Sequence, residues 1–472
     1  MLSKIFILFS LFTTGLAIGR HIYTYSAYPQ QNEINMKDSG DPLFLTPLIK
    51  RGRLSYARNL SRVGTAISTE LTSYSGYFTI NPKYQSNMFF WYFPATEATE
   101  DAPLLLWLQG GPGATDMFGL FVEVGPIKVT SDYKIIQKKY HWAKKYNLLF
   151  IDNPVGTGFS FTKSDKGYAQ NENDVSKDLY EALQQFLTLF PNIRDNDFYV
   201  TGESYAGKYI PAIAYKIHTE NNINNATQKI NLKGIAIGNG WVDPINQLAY
   251  GDLLYQIGLL DLKQLQEFHY NEQLTREHIN NKDYLAAFYS MDRIIGGDKT
   301  KYPTLFRNIT ELKFYLNFLE TVAPSEFSYF NTILRKPEIR KAIHVGNTTF
   351  SSGSVVESHL LADQMESVKD WLAIVMNNYK VLLYNGQLDI ICAPVLTEKF
   401  LQLLKWKYAE EYKNNTRQIY KVLPSDSQIA GYYRNVGEFY QIIIRNAGHI
   451  LPFDQPRIAY DMISRFVDGR GY

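Results

Sequence analysis

The chain has a single cysteine, Cys392, in 472 residues, and that scarcity excludes an intrachain disulfide, CxxC redox chemistry and a thiolate zinc cluster. An excess of one charge is missing too. The 48 Lys and Arg stand against 46 Asp and Glu, a formal net of +2, which lacks the basic bias of a nucleic-acid-binding domain. No apolar run reaches the ~20 residues that cross a bilayer as a helix. The 8 histidines show no HExxH or other ligand spacing, so no metal is expected. Internal repeats, low-complexity tracts and long like-charge runs are absent. Apolar residues, by contrast, are plentiful: 45% of the chain is hydrophobic and 15% aromatic, enough for a large core. The length exceeds the usual ~100–200 residues per domain, so a large domain with an insertion, or two domains, is expected.

One cysteine suggests a reducing compartment, but the first residues argue otherwise. Lys4 precedes the apolar run 5–12 and then Thr13, Thr14, Gly15, Leu16 and Ala17, small residues of the kind a signal peptidase reads. Residues 1–17 are therefore expected to be a cleaved secretory signal, and the polar stretch 18–39 a leader or propeptide. Five Asn-x-Ser/Thr sites, at Asn59, Asn225, Asn308, Asn347 and Asn414, fit a glycosylated protein with those asparagines at the surface. The expected destination is secreted or lysosomal/vacuolar, with no membrane association once the signal is gone.

Short apolar runs rich in β-branched and aromatic residues, at 88–93, 104–108, 148–151, 198–200, 232–237, 381–383 and 440–444, read as buried strands. Helix-like stretches at 174–189, 205–219 and 396–412 alternate with them. That alternation predicts an α/β fold with a mostly parallel sheet covered on both faces. It fails over 246–339, which is helix-like, Tyr-rich and polar, with helical patterns at 255–267 and 305–318; this stretch reads as an inserted cap. The core is then 40–245 together with 340–472.

The segment Phe198-Tyr199-Val200-Thr201-Gly202-Glu203-Ser204-Tyr205-Ala206-Gly207-Lys208 follows one of the strands and opens a helix. A serine on such a turn is exposed at the sheet edge, and small residues two positions either side, here Gly202 and Ala206, let the backbone turn tightly. The same letters spell G-x-x-x-x-G-K, a phosphate-cradling loop, but Tyr209 follows the lysine where magnesium binding needs Ser or Thr. A lone serine would otherwise be a helix N-cap, so an acid and a base must be found. In an α/β-hydrolase they follow the serine in the order acid, then histidine, each on a loop after a strand. Asp389 closes the strand-turn 381–389 and His449 closes 442–449. The other histidines, His21, His141, His218, His269, His278, His344 and His359, lie in helix-like, mixed or polar segments.

With these residues placed, the chain resembles the serine carboxypeptidases, a branch of the α/β-hydrolase fold, and within them the vitellogenic carboxypeptidase-like subgroup. The matching segments are 41–47, Trp107-Leu108-Gln109-Gly110-Gly111-Pro112-Gly113, Ile151-Asp152-Asn153-Pro154-Val155-Gly156-Thr157-Gly158-Phe159-Ser160, 202–209 and Asn446-Ala447-Gly448-His449-Ile450-Leu451-Pro452-Phe453-Asp454-Gln455-Pro456. The resemblance implies a triad of Ser204, Asp389 and His449, an oxyanion hole of the Gly111 and Tyr205 backbone N–H groups, and a carboxylate site at Gln109, Glu123 and Glu203. A glutamate holds a carboxylate only when protonated, so an acidic optimum is implied. Ile391 and Cys392 are implied pocket residues, with Tyr205 beside them. The chain departs from the wider family at Gln109 (usually Asn), at Ala114-Thr115-Asp116 (commonly Cys-Ser-Ser) and at Val124 (usually Asn).

The function implied is release of C-terminal amino acids by acyl-enzyme hydrolysis, without metal or organic cofactor. Its partners are peptides or proteins with a free C-terminus, with no nucleic acid and with room for a homodimer. Two alternatives stand beside it: acyl transfer by the same triad, and a secreted binding or nutritive protein that kept the fold without its activity.

Overall fold

The computed structural model describes residues 39–98, 101–223 and 228–472. The expected signal, all of the 18–39 leader but its last residue, and the Asn225 site lie outside them. Twelve strands are present among these residues: β1 (Tyr74–Asn81), β2 (Ser86–Phe93), β3 (Leu104–Leu108), β4 (Ile127–Val129), β5 (Ile135–Gln137), β6 (Asn147–Ile151), β7 (Phe198–Glu203), β8 (Leu232–Gly238), β9 (Lys380–Gly386), β10 (Gln418–Tyr420), β11 (Gly431–Val436) and β12 (Phe439–Ile444). Ten of them form one sheet in the order β1-β2-β6-β3-β7-β8-β9-β12-β11-β10, and β4 pairs with β5 alone. From β6 to β12 every neighbouring pair is parallel. The two edges are antiparallel, β1-β2-β6 on one side and β12-β11-β10 on the other.

The central strands are apolar without alternation because both faces are covered. Leu104, Leu106 and Leu108 of β3 point into one core, shared with Val175, Leu179, Leu183 and Phe186 of helix Glu172–Leu189 and Ile210, Ile213 and Ile217 of helix Ala206–Ile223. Leu105 and Trp107 of the same strand point into a second core with Ile463 and Phe466 of helix Pro456–Asp468. Each such side chain contributes about 1.5–3 kcal/mol on burial, so a polar residue at any of these positions breaks a layer.

The chain between β8 and β9 contains helices, the longest being Leu262–Asn280, and no strand among the described residues. Three helices differ from the sequence reading. The pattern over 255–267 is broken by Gly258 at φ +79°, after which Asp261 and Gln264 form a capping box that starts Leu262–Asn280. The 305–318 pattern stops at Thr310, where Glu311 turns left-handed at φ +60°. The 396–412 stretch is two helices, Pro394–Leu403 and Ala409–Asn414, because Leu404 leaves the helix in extended conformation. No helix among the described residues is long and apolar enough to cross a membrane.

Candidate active site

Ser204 stands between β7 and helix Ala206–Ile223 with φ +62°, a left-handed conformation costly for any residue with a Cβ. The turn is held from both sides: Ser204 N–H donates to Gly238 O at 3.0 Å, and Ser204 O accepts from Gly207 N at 2.9 Å and Trp241 N at 3.0 Å. A Cβ at Gly202 would run into Leu108 O and the Ala206 methyl, so glycine is required there while alanine is tolerated two residues after the serine. A Cβ at Gly110 would lie 2.6 Å from both Ser204 Cβ and Tyr205 N. That close approach brings the 110–113 loop against the serine turn, which places Gly111 and Tyr205 beside Ser204.

Asp389 follows β9 and His449 follows β12, and their side chains meet: His449 Nδ1 and Asp389 Oδ2 are 2.8 Å apart. Both are buried, at 1% and 0% exposure. The same oxygen accepts from Asn239 Nδ2 at 2.6 Å and from Cys392 N at 3.2 Å. Asn239 is in turn fixed by accepting from Gly386 N at 3.2 Å through Oδ1. Three contacts on one carboxylate oxygen hold the acid still, and through it they hold the imidazole ring. Asn239 is a supporting residue that sequence reasoning missed; it sits after β8 in the same strand-then-turn context as Asp389, and that context is the available signal.

Ser204, His449, Gly111, Tyr205, Ile391 and Cys392 all line one cavity of about 80 Å³. The buried Cys392 thiol is pushed well up by burial, with Asp389 and Glu203 adding to the effect, so it is a neutral wall group and a poor nucleophile.

Gln109, Glu123 and Glu203 also come together, yet none of the three lines that cavity. Gln109 is held at both ends of its amide: Oε1 accepts from Trp107 Nε1 at 2.9 Å and Nε2 donates to Glu203 Oε1 at 3.0 Å. Asp116 fixes its backbone, accepting from Gln109 N at 2.7 Å and from Ile151 N at 2.9 Å. Both oxygens of Glu123 and Oε2 of Glu203 are buried without a hydrogen bond of good geometry. Burial pushes the Glu123 carboxyl up to about 7 against the opposing influence of Glu203, Gln109 and Lys138, and pushes Glu203 well up with Glu123 reinforcing it. The pair therefore retains a proton below neutral pH. Glu123 also lines a second groove, about 680 Å³, with Val122, Lys138, Phe330 and Phe453.

Comparison with known proteins agrees with this geometry. A family model described as serine carboxypeptidase matches residues 64–469. The chain belongs to the serine carboxypeptidase family. It is 52% identical over 436 residues to the "Probable serine carboxypeptidase CPVL" of Homo sapiens, covering 92% of this chain and 91% of that one. It is 43% identical over 433 residues to the vitellogenic carboxypeptidase of Aedes aegypti, covering 91% and 90%. Among solved structures, the prohormone-processing carboxypeptidase Kex1(delta)p of Saccharomyces cerevisiae matches with a TM-score of 0.75 at 22% identity, over 87% of this chain and 96% of that one, which speaks to the α/β-hydrolase fold. The enzyme class is that of a serine-type carboxypeptidase, a hydrolase whose substrates are peptides.

A buried ion pair lies under the serine turn. Lys208 Nζ is 2.7 Å from Asp363 Oδ2, which also accepts from Tyr205 OH at 2.6 Å. It ties the start of the helix after Ser204 to the segment between β8 and β9. Of the glycosylation candidates, Asn59, Asn308, Asn347 and Asn414 are exposed.

Proposed function

We propose that this carboxypeptidase works through Ser204, His449 and Asp389. The supporting observation is a left-handed serine in one cavity with a histidine whose Nδ1 is 2.8 Å from a triply bonded carboxylate. Asp389 keeps a proton on Nδ1, leaving Nε2 to take the Ser204 hydroxyl proton as Oγ attacks the scissile carbonyl. The developing oxyanion is received by the Gly111 and Tyr205 N–H groups, and His449 then protonates the leaving amine. Water, activated by the same imidazole, hydrolyses the acyl-enzyme.

The substrate's terminal carboxylate is assigned to Gln109, Glu123 and Glu203. A carboxylate approaches two glutamates favourably only while they carry protons to donate, and the weakened acidity of this pair supplies that condition below neutral pH. Ionisation of the pair then repels the substrate, so affinity falls as pH rises toward and past about 7. The acyl residue is assigned to the cavity with Ile391 and Cys392.

Residues 40–245 and 340–472 form the catalytic body and 246–339 a cap over it, a division supported by Tyr250, Met291, Asp298, Tyr315 and Leu316 in the cavity wall. The N-terminal apolar run and the sequons support entry into the secretory pathway, secretion or lysosomal delivery, and glycosylation.

The test is a blocked dipeptide with a free C-terminus beside its amidated twin, assayed from about pH 4 to 8. Release of the terminal residue from the free acid, strongest on the acid side, is the expected result. Equal turnover of the amide, or an alkaline optimum on the free acid, would refute the carboxylate assignment.

A further inference from the structure

Part of the Ser204 cavity is not used by the hydrolytic chemistry. Asp298 is the one carboxylate in its wall among the described residues, and Trp241, Tyr250, Met291 and Leu316 supply apolar surface in the same wall. The position of Asp298 is set by its neighbour Asp292, 1% exposed, whose Oδ1 accepts from Asp298 N at 2.7 Å and whose Oδ2 accepts from Lys299 N at 3.1 Å and Thr300 N at 2.7 Å. Gly297, at φ +81°, supplies the turn.

The Asp298 carboxylate itself has no hydrogen bond or ion pair among the described residues. The adjacent Lys299 does not neutralise it, being bound to Glu357 Oε2 at 2.8 Å and Ser358 Oγ at 3.2 Å. Gln364 shares the wall at 8% exposure, its backbone oxygen accepting from Trp241 Nε1 at 2.8 Å while its own Nε2 has no partner. The unfilled Gln364 Nε2 is a donor suited to a carbonyl of the substrate backbone, while the uncompensated Asp298 carboxylate beside Trp241, Tyr250 and Met291 matches a side chain with an apolar stem and a cationic head.

Which substrate residue enters follows from the proposed carboxylate site, and the inference rests on that reading. The leaving residue is held at Gln109, Glu123 and Glu203, none of which lines this cavity, so the cavity receives the residue on the acyl side of the scissile bond. We propose that Asp298 gives the enzyme a preference for peptides with Lys or Arg in the penultimate position, the basic head group lying against the Asp298 carboxylate.

A pH signature accompanies it. Burial pushes the Asp298 carboxyl up to about 8, with Glu357 and Asp292 adding to the shift and Lys299 opposing it. The pocket loses its negative charge on the acid side, so discrimination in favour of Lys grows as pH rises.

The experiment uses the full chain and blocked dipeptides sharing one free C-terminal residue, with Lys, Arg, Leu or Glu before it, and measures kcat/KM at about pH 6 and 8, on either side of the range where Asp298 gains its charge. For the wild type the Lys-to-Leu ratio should be small at the lower pH and rise to about tenfold or more at the higher, the scale of one partly buried charge pair. Asp298→Asn should collapse that ratio and its pH dependence, and Asp298→Lys should turn the preference toward Glu. Equal use of Lys and Leu by the wild type overturns the proposal without any variant, and so does a Lys preference that survives Asp298→Asn. Hydrolysis of none of the four peptides would instead bring down the carboxypeptidase reading, and this inference with it.

Discussion

Replacing Glu123 by Gln is a sharp probe of the buried carboxyl pair. Glu123 is 2% exposed, and its pKa is raised from 4.5 to about 7 chiefly by burial. In the unfolded chain the same group ionises near 4.5, so between these values the folded protein binds more protons than the unfolded one. Stability is therefore fullest below about pH 4.5 and declines as pH rises through about 7, the reverse of a salt-bridged carboxylate. Each pH unit between the two values is worth about 1.4 kcal/mol, so the decline amounts to about 3 kcal/mol. Glu123→Gln keeps the shape and the hydrogen-bonding capacity but has nothing to ionise. Urea unfolding of both proteins at about pH 5 and pH 8 should show the wild type losing stability across that range and the variant losing about 2.5 kcal/mol less. The same substitution should flatten the rise of KM with pH for a free-acid peptide. Parallel stability profiles for the two proteins would refute the claim that this carboxyl is buried neutral.

Three further perturbations probe the rest of the site and its support. Asn239→Leu removes one of three donors from the Asp389 oxygen; kcat should fall by about 10–100-fold with KM little changed, the size expected for loss of a supporting contact to a catalytic side chain, in steady-state assays of a folded variant. Lys208→Met strips the partner from buried Asp363, and thermal or urea unfolding should report a loss of about 3–5 kcal/mol. The Cys392 thiol should react with a small thiol reagent far more slowly than a free thiol at about pH 7, and modification, once forced, should block the cavity and slow peptide hydrolysis; fast reaction without loss of rate would remove Cys392 from the wall.

The three proposed triad positions stand out in the sequence because each of Ser204, Asp389 and His449 directly follows an apolar strand that ends in a tight turn, and a strand buried on both faces is an uninterrupted apolar word. The sheet edges were less legible. β1 and β11 are only partly buried, and nothing local in Tyr74–Asn81 or Gly431–Val436 states that they run antiparallel to their neighbours. Helix ends between β8 and β9 escape the periodic pattern where a single left-handed residue, Gly258 or Glu311, outweighs the residues around it. Asn239 is hidden because an Asn-Gly pair after a strand reads first as a turn; its role appears only when β8 and β9 lie side by side and bring it within 2.6 Å of Asp389. Asp298 and Gln364 have no local signal at all, since the cavity they share with Ser204 is assembled from segments distant in the chain.

Catalysis in this protein is proposed to depend on Ser204 as the nucleophile. Treatment with an active-site-directed phosphonofluoridate, followed by peptide mass mapping, should find one adduct, on Ser204, with loss of C-terminal amino acid release in proportion to labelling, and Ser204→Ala should be unlabelled and inactive while unfolding at the wild-type temperature. Undiminished release of terminal residues by folded Ser204→Ala would contradict it.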